Sequence, residues 1–231
     1  MKSNYDFDAI VIGGGSAGLT ASGLAANFGA RTMMIEKDRL GGDCTWTGCV
    51  PSKTLLKAGK VASQIREAAK YGLMNQDPGI DFKKVIEHVH KKREEIYAEA
   101  DRPEIYEEMG IEVVYGDARF LDEHTVAIEG EDGSRREVSA RYFFICAGSS
   151  PFVPPLEGIQ KVPYVTSEAL FEIEQLPEAL IIIGAGPIGI EMGQALNRLG
   201  SHVTVLDMAG RIMTNDDPEL AQMLQRVLEQ E

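Results

Sequence analysis

The sequence contains no run of eighteen apolar residues, so no membrane-spanning helix is expected. Its first residues, Met1-Lys2-Ser3-Asn4-Tyr5-Asp6, lead straight into an apolar strand. There is no secretory apolar core and no Arg-rich leader, so cytoplasmic residence and no membrane partner are the expectations. Basic residues are in deficit: 23 Lys and Arg face 36 Asp and Glu, a formal net charge of −13. That balance disfavours nonspecific nucleic-acid binding, which rests on neutralising phosphates. Cysteine is scarce too. Three in 231 residues do not make a secreted disulfide scaffold. Two of the three lie close together, which points instead to redox chemistry or metal binding.

What is present is an internal repeat. Residues 9–36 read AIVIGGGSAGLTASGLAANFGARTMMIE, and residues 180–207 read LIIIGAGPIGIEMGQALNRLGSHVTVLD. The two segments align without a gap at a shift of 171. Gly13, Gly15, Gly18 and Gly29 fall on Gly184, Gly186, Gly189 and Gly200, and Glu36 falls on Asp207. Each copy opens with an apolar run suited to a buried parallel strand, 7–12 and 179–183. A Gly-x-Gly-x-x-Gly turn, a helical pattern and a second apolar strand ending in a carboxylate follow. This is the dinucleotide-binding fingerprint in the context it requires. The first Gly permits the turn, the second admits the pyrophosphate, and the third lets helix and strand pack closely. The helix N-terminus offers open N–H groups to phosphate, and the carboxylate accepts from a ribose diol. A 2′-phosphate would be repelled by Asp207, and positions 205–209 hold no Arg, so the second copy is expected to prefer NAD(H) over NADP(H). Arg211 is the nearest residue able to weaken that preference.

The expected fold class is α/β, with two Rossmann-like three-layer units, the second incomplete. Between the repeats, residues 50–70 and 81–109 show helical periodicity, with exposed charge at 91–95. Pro78-Gly79 marks a turn between them, and Pro103 is expected to kink or restart the second helix. Residues 111–146 read as short strands, IEVVYG, ARFLD, HTVAIEG, SRREVSA and RYFFICAG, with a hairpin turn at 131–134. The Ser/Pro-rich stretch at 149–155 suggests a domain crossover. It divides the chain into an expected FAD-binding domain at 1–149 and the N-terminal part of an NAD-binding domain at 150–231.

Cys44 and Cys49 sit in GGDCTWTGCVPSK, residues 41–53. Four intervening residues can bring two thiols within disulfide reach. Pro51 suits the first turn of the following helix. Cys49 would then lie near a helix N-terminus with Lys53 one turn along, and both features favour a reactive thiolate. A zinc site would need two further ligands. His88 and His90 do not share a helix face, and Cys146 reads as a small core residue inside an apolar strand. No metal is therefore expected, but two unrelated thiols remain open on spacing alone.

The order of first fingerprint, CxxxxCVPSK, an apolar strand into Ala147-Gly148-Ser149, and second fingerprint resembles the class I pyridine nucleotide–disulfide oxidoreductases. That family includes dihydrolipoamide dehydrogenase, glutathione reductase and mercuric reductase, and the GCVPSK spelling leans toward the last. The resemblance implies that Gly13, Gly15, Ser16, Ala17, Gly18, Glu36 and Lys37 bind the ADP part of FAD. It places Gly41, Gly42, Asp43, Cys44, Cys49 and Lys53 along the flavin, Ala118 near the adenine, and Ala147, Gly148 and Ser149 at the end of the FAD segment. Gly184, Gly186, Ile188, Gly189 and Asp207 would bind NAD. Cys44 would be the interchange thiol and Cys49 the thiol facing the flavin. Lys53 would sit near flavin N5, paired with Glu191. A separate argument supports that pairing: Glu191 aligns with Thr20, so the fingerprint needs no acid there, and a carboxylate at the start of a helix is costly if buried alone. The alternative is an acid in a helix's first turn, favoured by the dipole.

Several positions depart from the family pattern. Asp43 stands where many members have Thr, Trp46-Thr47 replaces Asn–Val, Pro187 replaces a Tyr found in some relatives, and Ala147 replaces a Thr. The family also continues into a second FAD segment and a dimerisation domain carrying a catalytic His–Glu pair, which none of His88, His90, His124 and His202 matches. A homodimer, and a disulfide or metal-ion acceptor, are expected of the full-length protein. The other reading is a nucleotide-binding fragment without catalysis.

Overall fold

The computed structural model describes residues 5–231. The chain forms two compact units, each assembled from two segments. Residues 1–48 with 93–162 make the first, and residues 49–92 with 163–231 make the second. The sequence suggested a linear division at 149/150. Packing groups the chain differently, because the helical excursion at 49–92 shares its core with the later segment.

The first unit is built on a six-stranded sheet in the order β3-β2-β1-β6-β5-β4. Its strands are β1 (Phe7–Ile12), β2 (Thr32–Glu36), β3 (Ile111–Tyr115), β4 (Asp117–Phe120), β5 (Thr125–Glu129) and β6 (Arg135–Ile145). Strands β3, β2, β1 and β6 run parallel, and β4 and β5 complete the sheet antiparallel. Ala9–Val11 of β1 and Met33–Ile35 of β2 are apolar and buried without alternation because both sheet faces are covered. On one side Ile10, Met33 and Ile35 pack with Val126, Ile128, Val138 and Ala140. On the other, Val11, Met34 and Ile111 pack with Leu40 and with Leu19, Ala21 and Ala26 of α1 (Ser16–Asn27).

The hairpin turn at 131–134 forms as expected, with the Gly130 N–H donating to the Ser134 carbonyl at 2.9 Å. One expectation fails here. SRREVSA and RYFFICAG are not two strands but the single strand β6. Its first half pairs antiparallel with β5, and its second half pairs parallel with β1. Cys146 therefore lies just beyond a strand end rather than inside one, its N–H donating to the Ile12 carbonyl at 2.7 Å.

The second unit contains α3 (Cys49–Arg66), most of α4 (Phe82–Ile96), and a repeat of the opening motif: β7 (Ala179–Ile183), α6 (Pro187–Arg198) and β8 (His202–Leu206). α7 (Pro218–Leu228) follows. Two parallel strands, β7 and β8, form its sheet among the described residues. Leu55, Phe82, Ile86, Val89, Phe171, Met192, Leu196 and Leu199 make its core. α3 lies so close to α6 that a Cβ on Gly59 would come 2.9 Å from the Ala195 carbonyl oxygen. Arg66 donates to the Arg198 carbonyl at 2.6 Å, placing a cation at the C-terminal end of α6, where the dipole favours one.

The helix expected at 81–109 is three elements. α4 ends at Ile96, a π-helical turn spans Tyr97–Asp101, and α5 (Pro103–Glu108) restarts at Pro103. The supposedly exposed charge at 91–95 also needs correcting, because Arg93 is buried. It falls four residues after Val89 and seven after Ile86, on the apolar face of α4.

Candidate functional site

The two repeats fold alike down to single hydrogen bonds. α1 and α6 cover the same twelve positions at the shift of 171, each behind an N-terminal glycine, Gly15 or Gly186, in extended conformation. The preceding glycines, Gly13 and Gly184, have φ of 102° and 108°, which a side chain would strain. The third glycines, Gly18 and Gly189, touch the first: a Cβ on either would overlap the carbonyl oxygen of Gly13 or Gly184. In the first repeat, Glu36 accepts from Gly14 N–H at 2.6 Å and from Asp38 N–H at 2.9 Å. In the second, Asp207 accepts from Ala185 N–H at 2.7 Å and from Ala209 N–H at 2.8 Å. These are equivalent positions. Each carboxylate ties the glycine turn to the end of the second strand.

The environments of the two acids differ. Glu36 is buried at the end of β2, whereas Asp207 lies exposed just past β8. The N–H groups of Ala185 and Ala209, and less strongly Met208, hold the Asp207 carboxyl below the usual carboxylate range.

Both helix N-termini suit a phosphate. No side chain caps α1 or α6, so their first N–H groups are not satisfied by a cap. In α7, by contrast, Asp217 accepts from Glu219 and Leu220 N–H groups. Ser16 and Ala17 lie exposed at the start of α1, and Ile188 at the start of α6. In the first unit a second glycine pair closes on this turn. Gly41 bridges Gly15 and donates to the Gly14 carbonyl at 2.9 Å, and a Cβ on Gly42 would come 2.6 Å from Gly15 Cα. The site has backbone where a pyrophosphate needs close approach, which is the fit a bound dinucleotide demands.

The other expected first-unit residues are spread around the sheet ends. Lys37 is exposed beside Glu36. Ala118 is half-buried on β4, opposite Ile128. Ala147, Gly148 and Ser149 form an exposed segment after β6. Asp43 is exposed on α2 (Gly42–Trp46), its carboxylate accepting from Thr47 Oγ1 at 3.3 Å.

Cys44 is a half-buried thiol on α2 in the first unit. Cys49 is exposed and is the first residue of α3, in the second. Cys146 is half-buried, and burial pushes its thiol pKa up. Among the described residues no group of three His, Cys, Asp or Glu side chains could hold a metal ion.

Lys53 and Glu191 pair, with Nζ at 2.6 and 2.8 Å from the two carboxylate oxygens. Burial is not what demands the pair. The side chains are 60% and 40% exposed, so Glu191 is not a buried charge demanding a partner. It also stands past the first turn of α6, where the helix carries no acid.

A family model described as pyridine nucleotide-disulphide oxidoreductase matches residues 7–231. The chain belongs to that family. A mercuric reductase from Lysinibacillus sphaericus is 33% identical over 227 residues, which is 98% of this chain and 40% of the relative. A dihydrolipoyl dehydrogenase from Bacillus subtilis (strain 168) is 30% identical over 231 residues, 96% of this chain and 48% of the relative. Among solved structures, the copper(II) complex of a Cys-to-Ser mutant of an HOCl-induced flavoprotein disulfide reductase from Escherichia coli superposes with a TM-score of 0.82 at 26% identity. That match covers 98% of this chain and 48% of the other. The chain thus spans less than half the length of these relatives.

Sequence reasoning missed a group of residues around α2. Arg93, Tyr97 and Asp101 all meet the helix that carries Cys44. A charged residue at an apolar helical position, Arg93 after Ile86 and Val89, was the available signal.

Proposed function

We propose that this chain is the nucleotide- and thiol-bearing part of a flavoprotein disulfide oxidoreductase of the dihydrolipoyl dehydrogenase or mercuric reductase type. It passes electrons between NAD(H), FAD and a Cys44–Cys49 disulfide, to or from an external acceptor. The observation that carries this reading is the doubled dinucleotide turn, with Glu36 and Asp207 making equivalent bonds. In the family, the first turn takes FAD and the second takes the nicotinamide nucleotide. Bound FAD supplies the redox step between nicotinamide and disulfide.

The residues divide the work by position. The uncapped start of α1 receives the FAD pyrophosphate, and Glu36 orients its ribose. The start of α6 and Asp207 do the same for NAD. Arg211 supports NAD over NADP, because its guanidinium donates to the carbonyls of Met213 and Thr214 at 2.8 and 2.7 Å rather than standing open to a 2′-phosphate. Cys49 opens α3, where the helix dipole favours a thiolate. With both cysteines reduced, the Cys44 thiolate attacks an acceptor disulfide, forming a mixed disulfide and releasing one thiol. Cys49 then displaces the second thiol and re-forms the Cys44–Cys49 disulfide. A mercuric ion would be an alternative substrate, taking the same two electrons. Lys53, paired to Glu191, sets the charge beside the flavin. The active form is a cytoplasmic homodimer of the longer protein.

The test uses the full-length protein. Cys49→Ser should remove the thiolate–flavin long-wavelength absorbance seen on reduction, and Cys44→Ser should abolish disulfide reduction by NADH. Absorbance persisting in Cys49→Ser would overturn the assignment. The extent of the match, under half of each relative, favours a second reading for residues 1–231 alone: nucleotide binding with little turnover. NADH–lipoamide activity of this piece, with and without added FAD, separates the two.

A further inference from the structure

α2 is five residues long and carries Cys44, so it needs outside support to hold one position. The support comes from α4 and the π-helical turn that follows it. Arg93, buried, donates from Nη1 to the Trp46 carbonyl at 2.8 Å. The Tyr97 ring lies 5.3 Å from the Trp46 ring, and the Arg39 guanidinium covers that ring at 3.6 Å. Asp101, also buried, accepts from Thr45 Oγ1 at 2.5 Å. The Trp46 indole N–H is satisfied by the Leu40 carbonyl at 2.8 Å.

The three contacts come from positions four apart in sequence: 93, 97 and 101. On a regular α-helix, eight residues drift by about 80° around the axis. The π turn over Tyr97–Asp101 is wider, and it keeps Asp101 in line with Arg93 and Tyr97. Asp101 also fills the space beside Gly41, where an added Cβ would lie 2.8 Å from its Oδ2.

We propose that Arg93 and Asp101 are positioning residues for Cys44, acting through the Trp46 carbonyl and the Thr45 hydroxyl, and that the π turn exists to bring both onto α2. Thr45 and Trp46, two of the four residues between the two cysteines, are the receiving half of this device. The proposal rests on Cys44 being the interchange thiol, but it can fail independently of that role.

The experiment is alkylation of the reduced protein with iodoacetamide, read by peptide mass spectrometry as Cys44 labelling relative to Cys146. Cys146 lies in the same unit and reports any general loosening. Thr45→Val removes the donor and strands the Asp101 carboxylate. It should speed Cys44 labelling at least about threefold over Cys146 by freeing the half-buried thiol. Thr45→Ser keeps the donor and should stay within about 1.5-fold of the parent. Asp101→Glu pushes toward Gly41 and should act like Thr45→Val, which covers the case in which the valine variant does not fold. An unchanged labelling ratio in Thr45→Val or Asp101→Glu, or a Thr45→Ser value equal to that of Thr45→Val, overturns the proposal. Disulfide reduction surviving in Cys44→Ser would instead overturn the role of Cys44, leaving the labelling result intact.

Discussion

Gly18 packs so tightly on Gly13 that an added Cβ would overlap the Gly13 carbonyl oxygen, leaving no room for even a methyl group between helix α1 and the turn that precedes it. Five residues along the same helix, Gly23 faces only the Met109 methyl, which an added Cβ would meet at an ordinary 3.5 Å. Gly18→Ala should therefore destabilise the chain by about 3 kcal/mol or more through overpacking. Gly23→Ala should be neutral or stabilise by up to about 1 kcal/mol, the gain in helix propensity. Urea unfolding of both variants checks the contrast, and equal effects would argue against the packing account.

Lys53 and Glu191 are a surface pair, so their mutual contribution to stability is small, about 0–1 kcal/mol. Glu191→Gln should leave the unfolding midpoint nearly unchanged. On the proposed function, turnover of the full-length protein should fall by about tenfold or more, because the lysine would lose its counter-charge beside the flavin. A large stability loss with intact turnover would make the pair structural.

The Asp207 carboxyl is held below its ordinary value of 3.8 by backbone N–H groups. Its folded pKa is depressed, so the unfolded chain binds the proton more readily. The stability it contributes is complete above the unfolded value and is lost as pH falls through the folded one. The stability difference between the parent and Asp207→Ala should be steady from neutral pH down to about 5 and shrink only below 3.8. A difference already shrinking near pH 6 would contradict that sign.

Burial raises the Cys146 thiol pKa, so it stays protonated at neutral pH. It should be the slowest of the three cysteines to alkylate at pH 7, and its rate should still be rising above pH 9. Cys146 labelling ahead of exposed Cys49 would be inconsistent with this.

The repeat made the site legible. A gapless shift of 171 aligns Gly13, Gly18, Glu36 and their counterparts in the sequence alone, because glycine turns are dictated by local sterics that sequence records directly. The strands β1 and β7 were readable to the residue for the same reason: apolar runs ending at glycine have few alternatives. What escaped notice depends on partners distant in sequence. The single strand β6 looked like two because its neighbours change from β5 to β1 partway along. The π turn at Tyr97–Asp101 leaves no local mark that periodicity can resolve. Arg93 was assigned to solvent with the charged run around it, although its helical phase with Val89 pointed inward.

β6 has a further consequence. One uninterrupted strand transmits phase from the 131–134 turn to the nucleotide turn, since Ser139 faces Thr125 and Ile145 faces Ile12 on the same backbone. A side chain alternates faces at every residue, so a one-residue slip in the hairpin would invert every side chain up to Ile145. It would also pull Cys146 away from Ile12, next to Gly13. The surface hairpin thus acts as the ruler that sets the backbone beneath the first glycine turn. A single-residue insertion among the paired residues 135–139 should therefore be far more damaging than one in the exposed turn at 131–134.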